Sequence, residues 1–393
     1  MDRARPLYCG AVRVPSATVT PAPVLPDFDG ACLINVVPAL LARADGEGSR
    51  PPAWLPDPVN RARQIVLLVL DGLGWEQLGD RAAAAPTLSA AIGGPITSVA
   101  PSTTACALTS LTTGLPPAVH GVVGYRVRAR DQVLNVLSWR TADGDARRTI
   151  PPRGFQPFAP FPRAGGARTP VVSRSDYRTT GFSAAHLAGA ELYPWHTASG
   201  LVVEVRRLLE RGERFVYTYY DGVDRVSHAW GLGDHYEAEL RAADRLVADL
   251  LEVLPPGAVL VVTADHGQVE VGPSTEVLGH EVMDDVVLLS GEGRFRWLHT
   301  RPGAAEDVAA AASEAFGHVA WVRTLEELVD EGWLGGEPVP AVAERMGDVA
   351  LVPFAPTAFL DPADTGEQRL VGRHGSLTPA EMLVPLVAFE PRS

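Results

Sequence analysis

Residues 64–72 read QIVLLVLDG, an unbroken run of β-branched and leucine side chains that stops at an acidic residue and a glycine. A half-exposed strand alternates apolar with polar residues. A continuous run has both faces buried, as in a parallel sheet covered by helices. Working outward, 214–220 (RFVYTYY) and 257–263 (GAVLVVT) repeat the pattern, and 95–100 (PITSVA) is a weaker version of it. Helical patterns lie between them: after Trp75, over 197–209, over 234–254 and near 304–316. Asp234 and Glu237 have the spacing of a capping box. Further strands are expected near 121–128, 285–290 and 318–323, and an amphipathic run closes the chain towards Phe389. Strands alternating with helices imply the α/β class: a mostly parallel central sheet with helices on both faces.

Two segments fall outside this alternation. Residues 1–60 are Pro-rich and are expected to wrap the rest as an N-terminal arm, with one short helix after Asp29-Gly30. Residues 61–393 then form the main domain. Within it, about 140–196 is rich in Arg, Pro, Gly, Thr and Phe and reads as an insertion, either a cap on the substrate side or a plain surface excursion.

Composition narrows the function. The chain has 393 residues, 46% of them hydrophobic and 21% charged, enough for a sizeable core. A net charge of −13 excludes a nucleic-acid polymer or an anionic membrane as the main partner. All 34 basic residues are Arg, so no lysine nucleophile or Schiff base is available. Three scattered Cys suit neither a disulfide framework nor a structural zinc site. The sequence has no signal-like apolar core near its start and no window approaching about 18 uninterrupted apolar residues, which makes the cytoplasm the expected location.

Chemistry-bearing residues follow the strands. Asp71 follows the first run, and Thr104 follows 95–100. Asp221, Asp224 and His228 follow 214–220, and Asp265 and His266 follow 257–263. The carboxyl ends of parallel strands gather at one edge, where ligands bind. His374, between Gly372 and Gly375, is a further candidate. Crowded carboxylates repel, and the simplest partner is a metal ion. Mixed Asp and His ligands suit zinc or manganese better than magnesium or calcium, and there are enough for two ions. In 98–114, SVAPSTTACALTSLTTG, Ser102, Thr103 and Thr104 open a helical run; such hydroxyls either cap a helix or act as a nucleophile beside free backbone N–H groups. Asp221 reads as a supporting partner or a turn residue. His120, His235 and His280 read as structural, and Cys106 as helix packing. Trp139, Phe155, Phe158, Phe161 and Trp195 either line a leaving-group pocket or form the insertion's own small core.

In order, LDGLG (70–74), PSTTACALTSLTTGLPPAVHG (101–121), DRVSH (224–228), TADHG (263–267) and GRHGS (372–376) resemble the alkaline phosphatase superfamily. The resemblance is closest to its type I phosphodiesterase/nucleotide pyrophosphatase branch and spans roughly 66–385. It implies an alkaline-phosphatase-like catalytic domain and a two-metal phosphoesterase acting on small phosphate esters. Thr104 would be the nucleophile, with Thr103 its rival. One ion would take Asp71, Asp265, His266 and the Thr104 oxygen; the other would take Asp224, His228 and His374. Ala107 stands where that branch commonly has Asn, and Thr103 where many members have Lys; both departures bear on a nucleotide as substrate. A phosphomonoesterase, a phosphonate hydrolase or a non-catalytic binding protein on this fold are the alternatives.

Overall fold

The computed structural model describes residues 20–46, 50–162, 168–364 and 366–390. Its centre is a seven-stranded sheet: β1 (Gln64–Leu70), β2 (Ile92–Thr97), β3 (Pro170–Arg174), β4 (Glu191–Trp195), β5 (Phe215–Tyr220), β6 (Ala258–Thr263) and β7 (Leu383–Phe389). The spatial order is β2-β7-β6-β1-β5-β3-β4. β6, β1, β5, β3 and β4 pair in parallel. β7 runs antiparallel to both β6 and β2, so β2 points the same way as the other five. Every residue of β1 from Ile65 to Leu70 is buried. Successive side chains point to opposite faces, so both faces of β1 are covered. The helices Ala198–Glu210 and Asp234–Val253 pack on each other beside β3–β5.

Three expectations need correction. The first concerns the arm. Residues 1–19 lie outside the described residues, but Leu33–Asp45 is a 13-residue helix with Leu33, Val36, Val37 and Leu40 fully buried. This is the helix expected after Asp29-Gly30, but it packs on the helix Thr104–Thr113 and on β1, so it belongs to the core and not to a wrapping arm. The second concerns the insertion. Within 140–196, β3 and β4 extend the central sheet, and Trp139, Phe155, Phe161 and Trp195 join the main apolar core. The short apolar runs of these two strands are hidden among Pro and Arg. The third concerns the strands near 285–290 and 318–323. They do not continue the parallel sheet. Val286–Glu292, Phe295–Thr300, Ala320–Thr324 and Val349–Pro353 form a separate antiparallel sheet with its own core beneath the helix Ala305–Phe316. The reason is local: only Gly293 and Arg294 separate the first two strands, and two residues allow a hairpin but no crossover.

Candidate active site

The carboxyl edge of the central sheet carries the site. β1 pairs with β5 to its last residue, Leu70 opposite Tyr220, and Asp71 continues the ladder through its N–H to Tyr220 O. The Asp224 N–H in turn donates to Asp71 O at 3.1 Å, which ties the helix Gly222–Trp230 to the end of β1. Gly72 makes this closeness possible. Its φ is +74°, and a Cβ there would lie 2.6 Å from Gln268 Nε2 and 3.0 Å from Asp224 Cβ. β6 pairs on the other side of β1 and delivers Asp265 and His266 to the same edge.

Seven side chains from five segments meet there. His266 Nε2 lies 3.4 Å from Asp71 Oδ1, 3.5 Å from Asp265 Oδ2 and 3.1 Å from Thr104 Oγ1. Asp224 Oδ1 lies 3.3 Å from His228 Nε2 and 3.7 Å from His374 Nε2. The two groups touch, since the His266 and His374 rings stack with centroids 3.5 Å apart. Each group of three offers ligand atoms that all lie within 4.8 Å of one another.

The hydrogen bonds sort the ligand atoms from the supports. Asp265 Oδ1 accepts from the N–H groups of Gly72 and His266, while the buried Oδ2 has no partner. Asp71 Oδ2 accepts from the Tyr219 hydroxyl, while the buried Oδ1 has none. Each imidazole has Nδ1 on a backbone carbonyl: His228 on Gly372 O, His266 on Gly267 O and His374 on Ser102 O. A carbonyl only accepts, so Nδ1 carries the proton and the Nε2 lone pair faces the carboxylates. Gln268 Nε2 donates to Asp224 Oδ1 at 2.6 Å.

Without a cation this arrangement is costly. Burial, then the fields of Asp265 and Asp224, push the Asp71 carboxyl well above its ordinary range, and burial raises that of Asp265. Burial and the neighbouring His266 and His228 push His374 far down. Two like charges about 4 Å apart repel by roughly 4 kcal/mol at an intermediate dielectric. Desolvation adds several kcal/mol for each buried ion. Unpartnered oxygens and three aligned Nε2 atoms therefore fit divalent ions, and Asp/His sets are the chemistry zinc and manganese use.

Thr104 is the first residue of the helix Thr104–Thr113, whose ten residues are all buried, and its free N-terminal N–H groups open on the site. Neither neighbouring hydroxyl acts as a cap. Thr103 makes no capping bond, and Ser102 Oγ donates to Ser376 O at 2.7 Å. Ser102 also holds the loop of His374 through its own N–H to Gly375 O and its O to His374 Nδ1. That loop is fastened further by Glu381, which accepts from Ser376 N and Thr378 Oγ1 and forms a fully buried pair with Arg294 of the antiparallel unit. Tyr219, Gln268 and Glu381 were not found by sequence reasoning, and Ser102, read there as a cap or nucleophile, instead supports the His374 loop. For Tyr219 the signal was present: a hydroxyl near the end of an otherwise buried strand.

Of the remaining candidates, Asp221 joins neither group. Its Oδ2 accepts from the Tyr177 hydroxyl at 2.6 Å, and Arg225 and Arg174 lie at 3.4 and 3.5 Å. His120 is structural, with Nδ1 accepting from Val122 N and Nε2 bonded to Ser110 Oγ. His235 stacks on Trp230, and His280 is exposed beside Glu281. Cys106 is fully buried, and burial holds its thiol well up. A pocket of about 180 Å³ opens from Thr104, Asp71 and Asp224 and is walled by Leu108, Phe182, Tyr177 and Tyr217. The aromatic residues singled out in 139–195 are not among its walls. Among the described residues no helix is long and apolar enough to cross a membrane.

A family model described as type I phosphodiesterase / nucleotide pyrophosphatase matches residues 65–377. Similar solved structures include murine ectonucleotide pyrophosphatase / phosphodiesterase 5 (16% identity, 84% of this chain and 88% of that chain, TM-score 0.63). The human protein of the same name is alike (16%, 84% and 88%, TM-score 0.64). So is an inactive variant of the murine protein in complex with AMP (15%, 84% and 88%, TM-score 0.62). These likenesses bear on the fold. No curated protein matches the chain by sequence.

Proposed function

The chain belongs to the type I phosphodiesterase/nucleotide pyrophosphatase family of metal-dependent hydrolases, and on that premise we propose that it cleaves small phosphodiesters through Thr104 at a two-ion site. The observation that carries this reading is the convergence on Thr104 Oγ1 of His266 Nε2 and, around it, two buried carboxylate oxygens without partners. One ion fits Asp71, Asp265, His266 and the Thr104 oxygen; the other fits Asp224, His228 and His374. Bound there, zinc or manganese supplies the positive charge that favours an ionised nucleophile and a departing oxyanion.

The protein residues do the rest. The helix N-terminus of Thr104–Thr113 directs backbone N–H groups at a phosphoryl oxygen. Thr104 Oγ1 attacks phosphorus in line, the P–O bond to the leaving group breaks, and the threonine proton ends on the departing oxygen. A threonyl phosphodiester that keeps the other ester group remains. Water then attacks the same phosphorus, the P–O bond to Thr104 breaks, a water proton restores the Thr104 hydroxyl, and the phosphomonoester is released. Tyr219 and the N–H groups of Gly72 and His266 each hold one carboxylate oxygen, which keeps the other oxygen on the ion.

The test is hydrolysis of bis-p-nitrophenyl phosphate and of p-nitrophenyl phosphate by protein reconstituted with zinc or manganese. Release from the diester, abolished in Thr104→Ala, is expected. Cleavage of the monoester alone would replace the diester reading with that of a phosphomonoesterase, and no turnover with either metal would contradict both.

A further inference from the structure

The Tyr217 hydroxyl is the unexplained group in this site. Tyr217 is 1% exposed, its oxygen has no hydrogen-bond partner, and its ring lies against Phe161 with centroids 5.3 Å apart. It lies two residues before Tyr219 on the same face of β5, so the two rings share the pocket wall. Tyr219 has a partner in Asp71; Tyr217 has none. An unsatisfied buried hydroxyl is destabilising, which a bound acceptor would offset. Burial, then the Asp265 and Asp71 carboxylates, push its pKa up, so the phenol stays protonated and can donate.

The pocket limits what that acceptor is attached to. Its volume of about 180 Å³ is below the roughly 300–1,000 Å³ of sites for drug-sized ligands. Leu108 and Phe182 give it apolar walls. His186, also on the wall, donates from Nδ1 to Phe182 O and is kept neutral by burial, its pKa lowered to about 4. Of the charged groups on the wall, Asp71 and Asp224 belong to the ligand groups, and the other two, Asp221 and Arg225, compensate each other across 3.4 Å.

We propose that Tyr217 donates a hydrogen bond to an oxygen on the organic group esterified to phosphorus, and so selects compact, uncharged, oxygen-bearing groups over hydrocarbon ones. This rests on the phosphodiesterase reading above.

Butyl p-nitrophenyl phosphate and 2-methoxyethyl p-nitrophenyl phosphate test it, because they differ by one CH2-for-oxygen replacement. The metal-loaded wild type is expected to favour the methoxyethyl ester by about tenfold in kcat/KM. Tyr217→Phe should bring that ratio close to one and leave the thermal stability of the free protein equal or higher, since no partner is lost. Tyr236→Phe is the control, because Tyr236 also buries an unpartnered hydroxyl but outside the pocket; it should keep the wild-type ratio. Cleavage of both esters with no preference, or a preference that survives in Tyr217→Phe, overturns the inference and leaves the phosphodiesterase reading standing. Cleavage of neither ester overturns that reading and the inference with it.

Discussion

The two candidate ligand groups of the site are built by different means. Asp71, Asp265 and His266 stand at the ends of adjacent strands, β1 and β6, whose backbone ladder sets their separation. Asp224 and His228 instead sit one helical turn apart, and His374 arrives on a late loop that Ser102, Glu381 and Arg294 hold down. His266 is wholly buried, whereas the His228 side chain is 23% exposed. A frame of sheet hydrogen bonds fixes the first group, while the second depends on contacts between the sheet, the nucleophile turn and the antiparallel unit. The first should hold its ion more tightly and release it more slowly.

The largest effect expected comes from Thr104, the proposed nucleophile and a ligand oxygen of the first ion, whose three other ligands stay in place. Thr104→Ala should lower turnover at least about 10³-fold while both ions remain bound, as steady-state kinetics and elemental analysis would show. Loss of the ions would mean that Thr104 organises the first group and does not merely use it. Next comes the latch on the second group. Arg294→Met leaves Glu381 buried without its partner, and breaking such a pair costs about 3–5 kcal/mol in a urea unfolding curve. An unchanged curve would remove the latch from the account.

A third prediction uses a group outside both sets. Burial and Arg345 hold His120, behind the helix Thr104–Thr113, at a pKa of about 3. The unfolded imidazole takes up its proton near 6.5. The contribution of His120 is therefore complete above about pH 6.5 and is lost as the pH falls towards 3. Unfolding free energy should drop on the order of 2 kcal/mol between pH 7 and 5 through this residue, and His120→Asn should flatten that slope. The smallest effect sharpens the contrast most. Ser102→Ala removes one hydroxyl bond to the His374 loop, so it should weaken the second ion about tenfold in a competition titration and leave the first nearly unchanged. Equal weakening of both would show that the two groups are one rigid unit.

The same contrast explains what could be read from the sequence. Asp71, Asp265 and His266 follow conspicuous apolar runs, so the convergence of strand ends predicts their meeting without knowledge of side-chain contacts. Asp224 and His228 carry helical spacing. His374 follows no strand of the central sheet; its flanking glycines made it a candidate, and only its likeness to a family motif assigned it to the second ion. Its supports depend on Arg294, whose hairpin turn belongs to an antiparallel sheet that alternation of strands and helices does not reveal. The outer strands β3 and β4 were concealed for a related reason. They are short, and Pro170, Arg174 and Pro194 interrupt their apolar pattern. Hydroxyls such as Tyr217 and Tyr219 acquire meaning only from what lies across the sheet from them.

The central claim is a two-ion site with separable halves, and metal stoichiometry tests it most directly. Elemental analysis of protein purified without chelator, as wild type, Asp265→Asn and His374→Gln, should give close to two transition-metal ions per chain in the wild type and one in each variant. No ion in the wild type, or two retained in both variants, would contradict the account.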